Sequence, residues 1–232
     1  MVEIKGLEKF SPRDFPGVIS ATVFFGSCNF RCPFCHNAGL VLNPADLPTF
    51  PADYFIRFLD SRKDWLEGIC VSGGEPLIHP DLEDFLSLLK DRNLLVKVDT
   101  NGSFPARLED LIAKDLIDSI AMDVKAPLEK YQEVTRTAVD VQKIRRSIDI
   151  IMHSGRDYVF RITAVPGMID KKDMQKIGRM LKGAKTFQIQ QFVPVNTLDP
   201  DFERRKPFKR EEIQELAEQV DGFFSEVRTE GI

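Results

Sequence analysis

Two hydrophobic periods alternate along this chain. Short apolar runs rich in β-branched residues fall at 19–25 (ISATVFF), 68–73 (GICVSG), 94–100 (LLVKVDT), 119–125 (SIAMDVK), 158–165 (YVFRITAV) and 187–193 (FQIQQFV). Each has the length of a strand. Between them apolar residues recur at three- and four-residue spacing, which places them on one face of a helix. In DLEDFLSLLKDR these are Leu82, Phe85, Leu86 and Leu89. In PARLEDLIAKDL they are Leu108, Leu111 and Ile112, and in REEIQELAEQV they are Ile213, Leu216 and Val220. VQKIRRSIDIIM and DMQKIGRML carry the same spacing.

Strand and helix alternating about six times predicts an α/β fold with a parallel sheet and right-handed crossovers. The pattern alone does not separate an open sheet from a barrel or part-barrel. No linker splits the chain, so 1–232 reads as one domain, with an N-terminal extension at 1–18, a core at 19–193 and a C-terminal segment at 194–232. LNPADLPTFP (42–51) and VPVNTLDPDFERRKPF (193–208) read as loops, the second at the mouth of the fold. In parallel α/β folds chemistry gathers at the carboxyl ends of the strands. Cys28, SGGEP, DTNG, DVK and Arg161 would then share one rim.

Composition narrows the class. The 232 residues are 43% hydrophobic and 29% charged, the balance of a soluble globular domain. The net charge of −4 is spread through the chain with no basic stripe, which argues against a nucleic-acid partner. No apolar run reaches the roughly 18 residues of a membrane span. MVEIKGLEKF lacks the basic-then-apolar order of a signal peptide. The expectation is a cytoplasmic protein with no membrane partner.

Three of the four cysteines lie within eight positions, in SCNFRCPFCHN (27–37). Clustered cysteines without an export signal point to a metal or redox centre rather than to disulfides. The spacing is Cys28-x3-Cys32-x2-Cys35. Thiolates select zinc, copper(I) or iron–sulfur clusters. Three thiolates on one loop can hold three corners of a cubane and leave the fourth iron open to a small molecule. The competing possibility is a structural Cys3His zinc site with His36, although neighbours such as Cys35 and His36 seldom reach one tetrahedral centre together. Cys70 could also close the site, but GICVSG reads as a buried strand and Cys70 as inert core.

A Cys-x3-Cys-x-aromatic-Cys loop after the first strand, with Phe34 as the aromatic, resembles the radical S-adenosylmethionine (SAM) superfamily. SGGEP at 72–76 resembles that superfamily's GGE motif. CHN at 35–37, DTNG at 99–102, DVK at 123–125 and RITAVPG at 161–167 look like the glycyl-radical-enzyme activases. DFPG at 14–17 and CNFRCPFCHN look most like the short type that activates anaerobic ribonucleoside-triphosphate reductase. The likeness implies a parallel (β/α)6 partial TIM-type barrel. It implies a [4Fe–4S] cluster and SAM as cofactors, and a 5′-deoxyadenosyl radical that removes hydrogen from a glycine of a partner enzyme. It also implies an electron donor of flavodoxin or ferredoxin type.

Carried over by position, Cys28, Cys32 and Cys35 would ligate iron, with no separate acid or base. The backbone around Phe34 and His36 would line the adenine, with Asn37 near the same pocket. Gly73 and Gly74 would let backbone approach the methionine amino group, and Glu75 would fix their loop. Asp99 would meet the amino group or ribose, and Lys125 and Arg161 the carboxylate and ribose. Arg161 inside an apolar run needs an anionic partner in any case. Asp99, Thr100 and Asp123 would hold a monovalent cation, as in the activases. His79 and His153 read as structural or surface residues, Trp65 as packing, and Arg204, Arg205 and Lys206 as a patch for an acidic partner. Departures from the activase pattern are Ser27 in place of glycine, Val18 and Ile19 where an arginine follows Pro-Gly, and QQFVPV without a histidine. Alternative functions are activation of a pyruvate formate-lyase type of enzyme, a radical SAM reaction on a small molecule of the carboxy-deazaguanine type, and a zinc-stabilised interaction module without catalysis.

Overall fold

In a computed structural model, which describes residues 2–231, the strands join into one sheet. The chain enters through β1 (Ile4–Glu8) and β2 (Ser20–Phe25), and short α1 (Ala38–Leu42) and α2 (Ala52–Asp60) lead to β3 (Gly68–Gly73). Then come α3 (Leu82–Lys90), β4 (Leu95–Thr100), α4 (Pro105–Ala113), β5 (Ser119–Asp123), α5 (Tyr131–Thr135) and α6 (Val141–His153). The chain finishes with β6 (Asp157–Ala164), α7 (Lys171–Met180), β7 (Thr186–Gln191), α8 (Arg210–Glu218) and β8 (Glu226–Glu230). Strand order in space is strand order in sequence. β2 to β8 are parallel, and β1 is antiparallel to β2.

The six expected strands are β2 to β7, the parallel core of a partial TIM-type barrel. The sheet has eight strands, because the N-terminal extension and the C-terminal segment each add an edge. Neither edge carries a readable apolar alternation. β1 is interrupted at Gly6, where the pairing register shifts, and EVRTE in β8 has one apolar residue.

Period two sorts the strand residues between two faces. Ile69, Val71, Val96, Val98, Ile120 and Met122 are fully buried in the layer between sheet and helices. α3 fills that layer with Leu82, Phe85, Leu86 and Leu89, as its spacing predicts. The Phe85 ring stands edge-on to Phe25 at 5.2 Å and stacks on Phe55 at 5.5 Å. The intervening strand residues, among them Cys70, Ser72, Lys97, Asp99, Asp123 and Arg161, make a polar network on the other face. Cys70 therefore sits among charges and not in the apolar layer, which corrects its reading as plain core.

Residues 11–18 lie under the amino ends of the strands. Ser11 Oγ and Thr22 Oγ1 each donate to Asp14 Oδ2 at 2.6 Å, and Ser20 Oγ donates to the Ser11 carbonyl at 2.9 Å. Phe15 and Val18 press so closely on Gly68 that a Cβ there would come within 3.2 Å and 2.9 Å of them. This segment floors the concave side, and the carboxyl ends of the strands form the mouth.

The 193–208 segment is irregular apart from a 3-10 turn at Pro200–Arg204. Of its basic run, expected to meet an acidic partner, Arg204 and Lys206 are exposed and Arg205 is half-buried. Arg204 pairs with Asp201 at 2.5 Å, and Arg205 stacks on Phe202 at 3.8 Å and donates to the Pro166 carbonyl. Trp65 is 44% exposed, with the Arg62 guanidinium over its ring, so it packs less than expected. Among the described residues no helix is long and apolar enough to cross a membrane.

Phe85 joins α3 to both β2 and α2. Phe85→Ala is expected to cost about 3–5 kcal/mol in urea unfolding. A loss below about 1 kcal/mol would mean that the layer collapses around the gap.

Candidate active site

The loops after β2 and β3 meet backbone to backbone. Gly74 N donates to the Phe25 carbonyl and Glu75 N to the Ser27 carbonyl, both at 2.9 Å. A Cβ on Gly74 would stand 1.8 Å from the Ser27 carbonyl oxygen. One on Gly73, whose φ is +124°, would stand 2.2 Å from the Phe25 oxygen. Both glycines are thus required by space, and Gly73 by backbone angle as well. Ser27 has a φ of 66°, in the left-handed region that suits glycine, the residue the activase pattern carries there. His79 Nε2 lies 2.8 Å from the Gly26 carbonyl, and Asn37 Nδ2 donates to the Gly73 carbonyl at 3.1 Å.

This junction opens onto a cavity of about 460 Å³ at the mouth. Cys28, Cys32 and Cys35 line it, together with Phe34, His36 and Asn37 from the same loop. Gly73, Gly74, Asp99 and Thr100 contribute from β3 and β4, and Asp123, Lys125 and Arg161 from β5 and β6. All the expected site residues except Glu75 reach this one space.

The cysteine loop is held from several sides. Cys35 N donates to the Cys32 carbonyl, and Arg31 N to the Thr135 carbonyl. From the 193–208 segment, Leu198 N donates to the Cys35 carbonyl and Asp199 N to the Pro33 carbonyl, at 3.0 and 2.9 Å. All four cysteines are free thiols. Burial pushes Cys28 up to about 11 and Cys32 up to about 12, with Lys125 pulling the other way. A bound metal centre reverses that penalty, since a coordinating thiol is deprotonated outright. Among the described residues no three His, Cys, Asp or Glu side chains converge closely enough to hold one metal ion. The trio suits a cluster, in which each sulfur reaches a different iron. His36 is exposed, with its ring edge-on to Phe192 at 6.2 Å, and Cys70 faces Asp99 rather than the loop.

Beside the thiols lies a charge network. Asp99 accepts from Lys97 Nζ, from Arg161 Nη2 at 3.1 Å and from Ser72 Oγ at 3.3 Å. Asp123 accepts from Arg161 Nε at 2.9 Å and Lys125 Nζ at 3.3 Å. Burial works against both carboxylates, yet Arg161 with Lys97 holds Asp99 below its ordinary range, and Arg161 with Lys125 takes Asp123 down to about 2. Burial likewise opposes the charge on Lys125 and Arg161, but Asp123 leads in raising both. Asp99, Thr100 and Asp123, the residues expected to hold a monovalent cation, all have protein partners. Thr100 Oγ1 donates to Glu75 Oε1 at 2.7 Å, and basic side chains occupy both aspartates.

Glu75 lies fully buried behind the cavity wall. It accepts from Thr100 Oγ1, from Asn101 N at 2.6 Å and from Leu77 N at 3.1 Å. Burial pushes its carboxyl up to about 7 against the pull of those donors. Asn101 continues the chain, donating from Nδ2 to Asn29 Oδ1 at 2.9 Å and approaching Cys28 Sγ at 3.8 Å. Glu75 thus ties the ends of β3 and β4 to the cysteine loop.

Sequence reasoning misses Lys97, Asn29, Asn101 and Glu230. Lys97 had a signal, because it stands two residues before Asp99 and so on the same face of β4. Glu230 accepts from Gln188 and Gln190 and walls the cavity from β8, a strand that no apolar pattern announces.

The sequence pattern of the Radical SAM superfamily matches residues 22–181. A protein of Methanocaldococcus jannaschii named as a glycyl-radical enzyme activating enzyme is 33% identical over 219 residues, covering 92% of this chain and 89% of that one. The pyruvate formate-lyase-activating enzyme of Clostridium pasteurianum is 27% identical, over 85% of this chain and 84% of its own. Among solved structures, Streptococcus suis SuiB bound to precursor peptide SuiA superposes with a TM-score of 0.67 at 18% identity, over 88% of this chain. The present chain spans 47% of SuiB, and the likeness is one of fold.

Two substitutions test the junction. Gly74→Ala is expected to abolish iron uptake on anaerobic reconstitution while the far-ultraviolet circular dichroism stays folded; full iron content would show that the loops can part. Glu75→Ala strands three donors and is expected to cost at least about 2 kcal/mol in urea unfolding, with Glu75→Gln between it and wild type.

Proposed function

The chain belongs to the radical SAM superfamily and is a radical SAM enzyme; from that premise we propose that it activates a glycyl-radical enzyme, an anaerobic ribonucleotide reductase. When bound, a [4Fe–4S] cluster supplies the electron that divides SAM into methionine and a 5′-deoxyadenosyl radical, which takes a hydrogen atom from a partner's glycine. The observation that carries the reading is a thiol trio and a charge network facing one cavity at an open mouth. A mouth open to solvent suits a substrate that is a loop of another protein. The names of the Methanocaldococcus and Clostridium relatives support an activase. The short DFPG and CNFRCPFCHN pattern favours the reductase as partner.

The chain's own residues do the positioning. Cys28, Cys32 and Cys35 would hold the cluster through thiolates. Three cations, Lys97, Lys125 and Arg161, face two carboxylates, Asp99 and Asp123, which leaves one positive charge for the SAM carboxylate. Gly73 and Gly74 bare the backbone so that the SAM amino group can approach carbonyl oxygens. The backbone around Phe34 and His36 would line the adenine, and Asn37 holds the Gly73 carbonyl in place. The 198–199 backbone braces the cysteine loop through the Cys35 and Pro33 carbonyls. A flavodoxin or ferredoxin would deliver the electron.

Protein reconstituted without air, holding about four irons per chain, is expected to form 5′-deoxyadenosine from SAM with dithionite. An intact cluster with no cleavage would overturn the reading. With the anaerobic reductase added, a glycyl electron-spin signal is expected. A signal with pyruvate formate-lyase alone would move the partner and keep the chemistry.

A further inference from the structure

Lys97 is the cation that sequence reasoning passes over. Pairing between strands sets Cys70 opposite Lys97, Asp99 opposite Ala121, and Asp123 opposite Arg161, so these side chains form one sloping row across the concave face. Lys97 is 3% exposed. A buried ammonium is costly unless paired, and its partner is Asp99 Oδ1, with Cys70 Sγ 3.6 Å away. The other oxygen, Asp99 Oδ2, takes Arg161 Nη2 and Ser72 Oγ. Arg161 reaches on through Nε to Asp123, whose second oxygen takes Lys125. Asp99 is saturated from below, and Arg161 is held rigid between two carboxylates.

The row disagrees with a monovalent metal ion. Of the three oxygens expected to hold one, Thr100 Oγ1 serves Glu75, and the aspartates already carry three basic groups. A metal ion would add positive charge to a row that is already in surplus. Without Lys97, Asp99 would keep Arg161 as its one cationic partner, the row would be neutral, and a buried carboxylate would face an ammonium-sized gap. We propose that Lys97 is a built-in counter-cation, a positioning residue that neutralises Asp99 so that Arg161 and Lys125 keep their charge for an anionic ligand. SAM binding then needs no potassium, sodium or ammonium. This rests on the reading of the cavity as the SAM site.

The test measures SAM affinity by equilibrium dialysis on the reconstituted holoprotein, at constant ionic strength, in choline chloride, potassium chloride and ammonium chloride. Wild type is expected to bind within about twofold in all three salts. Lys97→Ala is expected to bind about tenfold or more weakly in choline chloride and to recover several-fold in ammonium chloride. Lys97→Met, which fills the gap without charge, is expected to weaken binding with no recovery. Rescue of the alanine variant alone separates a charge role from a packing role. A wild type that needs potassium would overturn the inference, as would variants that bind like wild type. The salt comparison is made on wild-type protein and stands even where a variant fails to fold. Wild type that holds its cluster but binds SAM in no salt would overturn the reading of the cavity, a result distinct from salt dependence.

Discussion

Two loop backbones touch between β2 and β3 with no side chain separating them. Gly73 and Gly74 make that contact possible, since any Cβ would collide with Phe25 or Ser27. The contact fixes the height at which the cysteine loop leaves β2, and so where Cys28 stands relative to the ends of β4 and β5. Glu75 then locks the arrangement from behind by collecting donors from its own loop and from the end of β4. The polar chemistry at the mouth thus depends on a steric fact about two residues without side chains. Asn37, from the cysteine loop, completes the junction by holding the carbonyl of the first glycine.

The concave face inverts the usual distribution of a small barrel, whose interior is filled by apolar layers. Here most concave-face residues of the central strands are charged or polar, Ala121 and Val159 excepted, and the row is stable because its charged groups pair with partners of opposite sign. The apolar core lies instead on the convex side, where Phe25, Phe55 and Phe85 join strand to helix. This division separates the tasks of folding and binding. The hydrophobic layer stabilises the sheet, while the charge row shapes the cavity at an energetic cost that pairing offsets.

Much of this is legible in the sequence because period carries direction. Six strands and the face of α3 follow from spacing, and the motif residues gather at one rim because strand ends gather there. Glu75 is visible as a motif residue, but its place behind the wall is not, since two of its donors, Thr100 and Asn101, reach it only through tertiary structure. β1 and β8 escape because one is broken at Gly6 and the other has three charged residues and a threonine among its five. Lys97 hides inside LLVKVDT, where a lysine resembles a solvated edge until the neighbouring strands are known to cover it. Arg205, by contrast, is turned onto Phe202, a contact that the run of basic residues does not announce.

The floor formed around Asp14 and Phe15 closes the concave side at the amino ends of the strands. Entry is left to the opposite end, where the thiols and the charge row stand. On the proposed reading, a small ligand and a docking protein would share one approach, and the order in which they arrive would matter.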